Sequence, residues 1–245
     1  MTHSQTKFPW AWSILLALLV ACSPAAKETE TESSEEETMM KDDGQSSDME
    51  AGFVSLFNGE NLDGWVGNTT SYSVDNGTIL VDPGEEPRGG NLYTEQEYSD
   101  FVLRFEFQLT PGANNGLGYH APLEGDAAYV GKELQVLDNT AEKYAELEPW
   151  QYHGSLYGVI PAKRGFLKPV GEWNEEEVTV RGTTVKVVLN GETILDGDYQ
   201  DALENGTIDG KDHPGLARTS GHIGFLGHGD VLRYRNIRIR DLAGS

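Results

Sequence analysis

Residues 101 to 109, FVLRFEFQL, leave this chain little choice of fold. Phe101, Leu103, Phe105, Phe107 and Leu109 alternate with Val102, Arg104, Glu106 and Gln108, and only an extended strand gathers such a set on one face. The period of two continues along the chain. YSVDNGTILVD places Asn76-Gly77 between alternating runs, the signal of a tight hairpin. VTVRGTTVKVVLNGETIL repeats the pattern, with turns at Arg181-Gly182 and Asn190-Gly191. Near the C-terminus, Leu232 and Tyr234 share one parity while Ile237 and Ile239 share the other, a slip that predicts a β-bulge around Arg235-Asn236. One short helix is predicted over Ala141 to Leu147, ended by Pro149. The folded part is therefore all-β, an antiparallel sandwich or barrel. Helical and α/β folds are excluded, while periodicity alone does not separate a sandwich from a closed barrel.

The domain begins only after about fifty residues of a different kind. Lys7 followed by the apolar run Trp10 to Ala21 is too short to span a bilayer and reads as an export signal over residues 1–21. It ends in Leu19-Val20-Ala21-Cys22, which resembles a bacterial lipobox and makes Cys22 the expected lipidation site. Cys22 is the chain's single cysteine, so no disulfide can staple the domain and its stability must come from an apolar core. Residues 22–51 carry that cysteine and an acidic stretch; between Lys27 and Glu50 ten acids face two lysines, too much charge for a core and suited to an extended tether. These features predict an exported, membrane-anchored lipoprotein, held to the membrane through its lipid alone. With a formal charge of −22 and no basic stripe, nucleic acid is not an expected partner. Residues 52–242 remain for one domain with a sizeable core.

Three short strands in that domain set polar residues opposite apolar ones. In KELQVLD, Glu133, Gln135 and Leu137 share one face, with Leu134, Val136 and Asp138 on the other. In NNGLGYH, Asn114, Gly116, Gly118 and His120 oppose Leu117 and Tyr119. In HIGFLGHG, His222, Gly224, Leu226 and His228 oppose Ile223 and Phe225. A face of Glu, Gln, Asn and His, with glycines giving room for close approach, suits a sugar ring. The histidines at 120, 153, 213, 222 and 228 form no HxxxH or HExxH pair, although two or three of them could converge with Glu133 on a divalent cation. No GxSxG elbow, P-loop or dinucleotide fingerprint is present, which argues against serine nucleophiles and nucleotide binding.

Taken together and in order, FVSLFNGENLDGW, NLYTEQEYSDFVLRFEFQLTPGANNGLGYH, GKELQVLDN, HGSLYGVIPA, KPVGEWN, VVLNGETI, IGFLGHG and RYRNIRIRDL resemble the 3-keto-disaccharide hydrolase family, also described as 3-keto-glucoside 1,2-lyases and 3-keto-2-hydroxyglucal hydratases. The resemblance implies a concanavalin A-like jelly-roll sandwich, usually exported and often lipid-anchored. Its expected substrates are 3-keto-glycosides made by an upstream sugar 3-dehydrogenase. Glu133, Gln135 and His228 match the family pattern. Two departures stand out: Asn114-Asn115-Gly116 with a strand ending in His120, where relatives carry NSG and an arginine, and Leu226 in place of a glutamine before Gly227-His228-Gly229.

This chemistry fits the pairing of Glu133 with an amide. A glycosidase flanks the bond with two carboxyls. A ketone at carbon 3 instead acidifies the hydrogen on carbon 2, so one base can remove it and the enolate expels the aglycone from carbon 1. Water can then add back across the glucal. Such a reaction needs a base, an acid at the leaving oxygen and hydrogen-bond donors or a divalent metal at the enolate, but no redox cofactor. Our assignment takes Glu133 or His228 as base or metal ligand, His120 or His153 as acid, and Gln135, Asn114 and Tyr157 as substrate-binding residues, of which Glu133, Gln135 and His228 rest on the family pattern. Two alternatives stay open: a laminarinase-type glucan hydrolase, since Glu133-x-Gln135-x-x-Asp138 shares the offsets of E-x-D-x-x-E, and a non-catalytic carbohydrate-binding module.

Overall fold

A computed structural model of the chain describes residues 51–84 and 90–243. The export signal, Cys22 and the acidic stretch fall outside the described residues. Thirteen strands are found among those described: β1 (Val54–Ser55), β2 (Trp65–Gly67), β3 (Tyr72–Asp75), β4 (Thr78–Val81), β5 (Asn91–Tyr98), β6 (Phe101–Leu109), β7 (Asn114–Ala121), β8 (Lys132–Leu137), β9 (Trp173–Arg181), β10 (Thr184–Leu189), β11 (Glu192–Asp198), β12 (Gly221–Gly227) and β13 (Leu232–Asp241). Two short helices, α1 (Ala127–Val130) and α2 (Gln200–Asn205), interrupt them.

The strands form two separate antiparallel sheets, which decides for the sandwich over the closed barrel. One has the order β11-β10-β9-β6-β13-β4-β3 with β1 added beside β13; the other runs β2-β5-β12-β7-β8. This is the all-β jelly-roll class expected. The alternation in β6 holds: Phe101, Leu103, Phe105, Phe107 and Leu109 are buried while Arg104, Glu106 and Gln108 are half-exposed. Leu92, Leu117, Leu134 and Phe225 of the smaller sheet meet them in one core. Phe225 stacks on Tyr234 of the larger sheet with ring centroids 3.7 Å apart, and Trp65 stacks on the same Phe225 at 5.6 Å. The Phe225–Tyr234 stack ties the sheets together without a disulfide, and Trp65 braces it from within the smaller sheet.

Asn76-Gly77 and Asn190-Gly191 take positive φ at both residues, as a two-residue hairpin turn demands. The predicted bulge in β13 is present: its register against β6 slips between Arg235 and Arg238, with Asn236 at φ 52°. The helix expected over 141–147 is not formed as an α-helix. That stretch holds one 3₁₀ turn, Glu142–Tyr144, with a second, Pro149–Gln151, just beyond it, because the segment between the turn at Asp138 and Pro149 is too short to repay helix nucleation. α1 and α2, only four and six residues long, gave no periodic signal.

β8 lies at the edge of the smaller sheet, and residues 152–160 cover it. Gln135 N donates to Ser155 O at 3.0 Å, Gly154 N to Gln135 O at 2.8 Å and Tyr157 N to Glu133 O at 2.9 Å. The bonds satisfy the edge backbone and bring Tyr157 beside Glu133.

Candidate active site

Because side chains alternate along β8, Leu134 and Val136 enter the core while Glu133, Gln135 and Leu137 line the outer face of the smaller sheet. They border a cleft of about 270 Å³, together with Asn114, Tyr157 and His228. Glu133 is its buried carboxylate, 3 % exposed. His228 follows β12 and brings Nε2 to 3.3 Å from Glu133 Oε1. Gln135 Nε2 donates to Asn114 Oδ1 at 2.7 Å, and the Asn114 backbone N–H donates to Asp230 Oδ2 at 3.0 Å. Gln151 Nε2 reaches the Tyr157 hydroxyl at 3.3 Å; burial pushes that hydroxyl's pKa up, against the opposing effect of the Gln151 bond.

The glycines of this face make room for side chains that lie flat across it, rather than directly for a ligand. A Cβ at Gly116 would overlap Glu133 Oε1 and sit 2.7 Å from its Cδ. A Cβ at Gly118 would press on Leu226 at 3.0 Å, and one at Gly224 would overlap the Tyr93 ring. Tyr93 lies on the same face, nearly buried, and accepts a 2.8 Å bond from Asn91 Nδ2. Its hydroxyl pKa is raised, first by burial, with Asp126 and Glu133 adding their negative charge. Sequence parity offers no way to choose Tyr93 from the other aromatic residues; the Gly224 opposite it was the available signal.

Two of the histidines expected in the site are elsewhere. β12 slips register between His222 and Gly224, and His120 takes φ 48°, so parity fails at the end of β7. His120 is consequently 1 % exposed, with Nε2 2.7 Å from Ser99 O and Nδ1 3.1 Å from Lys132 Nζ. Burial and then the Lys132 ammonium lower its pKa. His153 is equally buried. It packs on Phe107 with centroids 5.1 Å apart and places Nε2 2.9 Å from Glu176 Oε2, although the angles there do not make an aligned hydrogen bond. Neither ring reaches the cleft, so neither can serve as its acid. His222 is also diverted, to Thr94 O at 2.8 Å.

Asp138 is likewise not a third site residue. It lies past the end of β8 and accepts from Gly112 N at 2.8 Å and from Thr140 N and Oγ1 at 2.9 and 2.6 Å. Burial opposes ionisation, but these hydrogen bonds prevail and its pKa is lowered. Asp126, exposed at the cleft rim, caps α1 through Ala128 N at 3.3 Å. Among the described residues no three His, Cys, Asp or Glu side chains gather to hold a metal ion. Glu133 and His228 supply two donors, short of a three-ligand catalytic zinc site, so no step is routed through a metal.

A larger concavity of about 1110 Å³ lies at the other sheet, beside Arg104, Glu106 and Glu177. Its charges pair with each other or with neighbours, Arg104 with Glu177 and Arg235 with Glu106, each at 2.7 Å. None of the polar motif residues reaches it, so the smaller cleft is the functional candidate.

A jelly-roll sandwich with a polar, tyrosine-walled cleft on one sheet face is of the glycoside-processing kind. The chain belongs to the 3-keto-alpha-glucoside-1,2-lyase-like domain family, whose model matches residues 52–240. It is 27 % identical over 228 residues to a 3-keto-disaccharide hydrolase of Bacteroides thetaiotaomicron, covering 78 % of this chain and 79 % of that one. Among solved structures, a candidate glycosyl hydrolase of Parabacteroides distasonis is 28 % identical with a TM-score of 0.67, covering 78 % of this chain and 99 % of that one. A Bacillus subtilis protein with a galectin-like fold, 13 % identical over 72 % of this chain and 89 % of its own with a TM-score of 0.50, shares the fold alone.

Proposed function

We propose that this domain cleaves 3-keto-glycosides by removing the proton from carbon 2 and eliminating the aglycone from carbon 1. The observation that carries the reading is Glu133: a buried carboxylate whose neighbour on the same strand face is an amide, with a histidine 3.3 Å away. Elimination needs one base there, whereas glycoside hydrolysis needs a second carboxyl. Glu133 takes the carbon 2 proton. His228, donating through Nε2, holds the carboxylate in place and its partly exposed ring lies where the sugar enters. Gln135, already oriented by Asn114, leaves its carbonyl oxygen for a sugar hydroxyl, and Tyr157 supplies a protonated phenol on the neighbouring wall. Addition of water to the glucal at carbon 1, with return of the proton to carbon 2, completes net hydrolysis. On this reading the enzyme works outside the cytoplasm, tethered through Cys22, and a sugar 3-dehydrogenase provides its substrate.

The test is a time course of the full chain with a 3-keto-glucoside and with its unoxidised parent, in both anomers, following aglycone release and the ultraviolet absorbance of the conjugated glucal. Release from the keto sugar alone is expected. Glu133→Gln should lower it by at least about 10²–10⁴-fold without unfolding the protein. Release from the parent would favour a hydrolase using Asp126, the rim carboxylate, as its second group. Saturable binding with no release would favour a carbohydrate-binding module.

A further inference from the structure

The departing aglycone oxygen needs a proton, and His120 and His153 are too far inside the protein to give one. We propose that Tyr129 is the acid that protonates this oxygen, with Lys211 as the positioning residue that holds it. The inference rests on the elimination reading above.

Tyr129 stands on α1 and lines the same cleft as Glu133. Lys211 Nζ donates to its hydroxyl oxygen at 2.8 Å. A lysine ammonium has donors and no acceptor, so the phenol must be the acceptor in this contact. Its own O–H is therefore directed to another partner, and the cleft is beside it. When that proton leaves, the phenolate formed already faces a cation, a charge-assisted contact of the kind that stabilises a developing anion. Lys211 is kept protonated by the same bond, which raises its pKa.

The ring is also fixed. It lies against His213 with centroids 4.8 Å apart, and His213 Nε2 is 3.0 Å from Asp209 Oδ2. Tyr157 meets it edge-on at 6.5 Å and 88°. A Cβ at Gly158 would lie 2.5 Å from Asp209 Oδ2 and 2.8 Å from His213 Nε2, so the loop carrying Tyr157 closes directly on the pair that braces Tyr129. Tyr157 lacks this arrangement: the hydrogen bond to its hydroxyl comes from the neutral Gln151 amide, not from the lysine ammonium.

The protons balance. Glu133 takes the carbon 2 proton, the C1–O bond breaks, and the Tyr129 proton passes to the aglycone oxygen. In the hydration half, the Tyr129 phenolate removes a proton from the water that adds at carbon 1, while Glu133 returns its proton to carbon 2. One water is consumed, one alcohol and one keto sugar leave, and both residues are reset.

An acid matters most when the leaving group is poor. Aglycone release by the full chain should be measured with methyl and 4-nitrophenyl 3-keto-glucosides, for the wild type, Tyr129→Phe, Lys211→Met and Lys211→Arg. Phenylalanine keeps the ring contacts with His213 and Tyr157. Tyr129→Phe should lose about 10²–10⁴-fold on the methyl glycoside and at least tenfold less on the nitrophenyl one. Lys211→Met should show the same split to a smaller degree, with recovery in Lys211→Arg. Equal losses on both substrates, or no loss on the methyl glycoside, would overturn the acid assignment. A wild type that releases neither aglycone would instead overturn the elimination reading.

Discussion

Gly116→Ala should separate activity from stability. The Cβ it introduces would overlap Glu133 Oε1 and lie 2.7 and 2.8 Å from Cδ and Cγ of the same side chain. Carbon atoms in contact prefer about 3.5–4.0 Å, so the carboxylate must move by roughly 1 Å. The obstructing group is the end of a flexible side chain, which places the stability loss near the lower end of the range for overpacking, about 1 kcal/mol. For a domain of this size that corresponds to a fall in Tm of about 2–4 °C. A reacting group misplaced by 1 Å can lose about 100-fold in rate, equivalent to about 2.7 kcal/mol of transition-state stabilisation. Thermal unfolding and kcat/KM on a 3-keto-glucoside should be measured together. Gly118→Ala is the control, because its Cβ would meet Leu226 at 3.0 Å and not the carboxylate. Wild-type kcat/KM in Gly116→Ala, or an equal drop in Gly118→Ala, would refute the claim that Gly116 exists to seat Glu133.

Other outcomes follow from the buried groups. His153→Ala opens a cavity against Phe107, removes the ring beside the buried Glu176 carboxyl and frees the segment that covers β8; urea unfolding should show a loss of about 2–5 kcal/mol, and an unchanged midpoint would show that the ring is no clamp. Lys132 is 1 % exposed and donates to Gly215 O, Arg218 O and His120 Nδ1; burial, then the Arg218 charge, push its pKa down to about 7. An unfolded lysine titrates near 10.4, so between about pH 7 and 10 the unfolded chain binds the extra proton and stability should rise with pH, by at most about 1.4 kcal/mol per unit. His120, with its lowered pKa, titrates below that window, while Tyr119 and Tyr199, both raised, titrate above it. Lys132→Met should abolish the slope, and a flat wild-type profile would refute the argument. With two protein donors at Glu133 and His228, chelation should leave turnover unchanged; a loss reversed by added divalent ion would mean that substrate oxygens complete a cation site there.

The strands were legible in the sequence because a half-buried strand must alternate, and Phe101 to Leu109 does so without a break. The same rule placed Glu133 and Gln135 on one face, with Leu134 and Val136 in the core. It failed at His120, where a register slip removes the parity on which the reading depends. His153, Tyr129 and Lys211 lay beyond its reach for a different reason. They sit in a one-turn helix and in short turns and loops whose contacts run between distant segments, such as the 2.8 Å bond from residue 211 to residue 129. No local period encodes such a contact. The glycines suggest close approach of a ligand or another backbone, whereas the structure packs the side chains of Glu133, Leu226 and Tyr93 against them, which no local pattern encodes.

The strand carrying Glu133 is the outermost of its sheet, and a loop rather than another strand covers it. That loop bears Tyr157 on the cleft wall while Glu133 stays anchored by the sheet. Loops accept substitution and changes of length far more readily than strands do. Descendants of such a protein can therefore acquire a taste for new aglycones by rewriting one short surface segment, leaving the proton chemistry and the sandwich beneath it untouched.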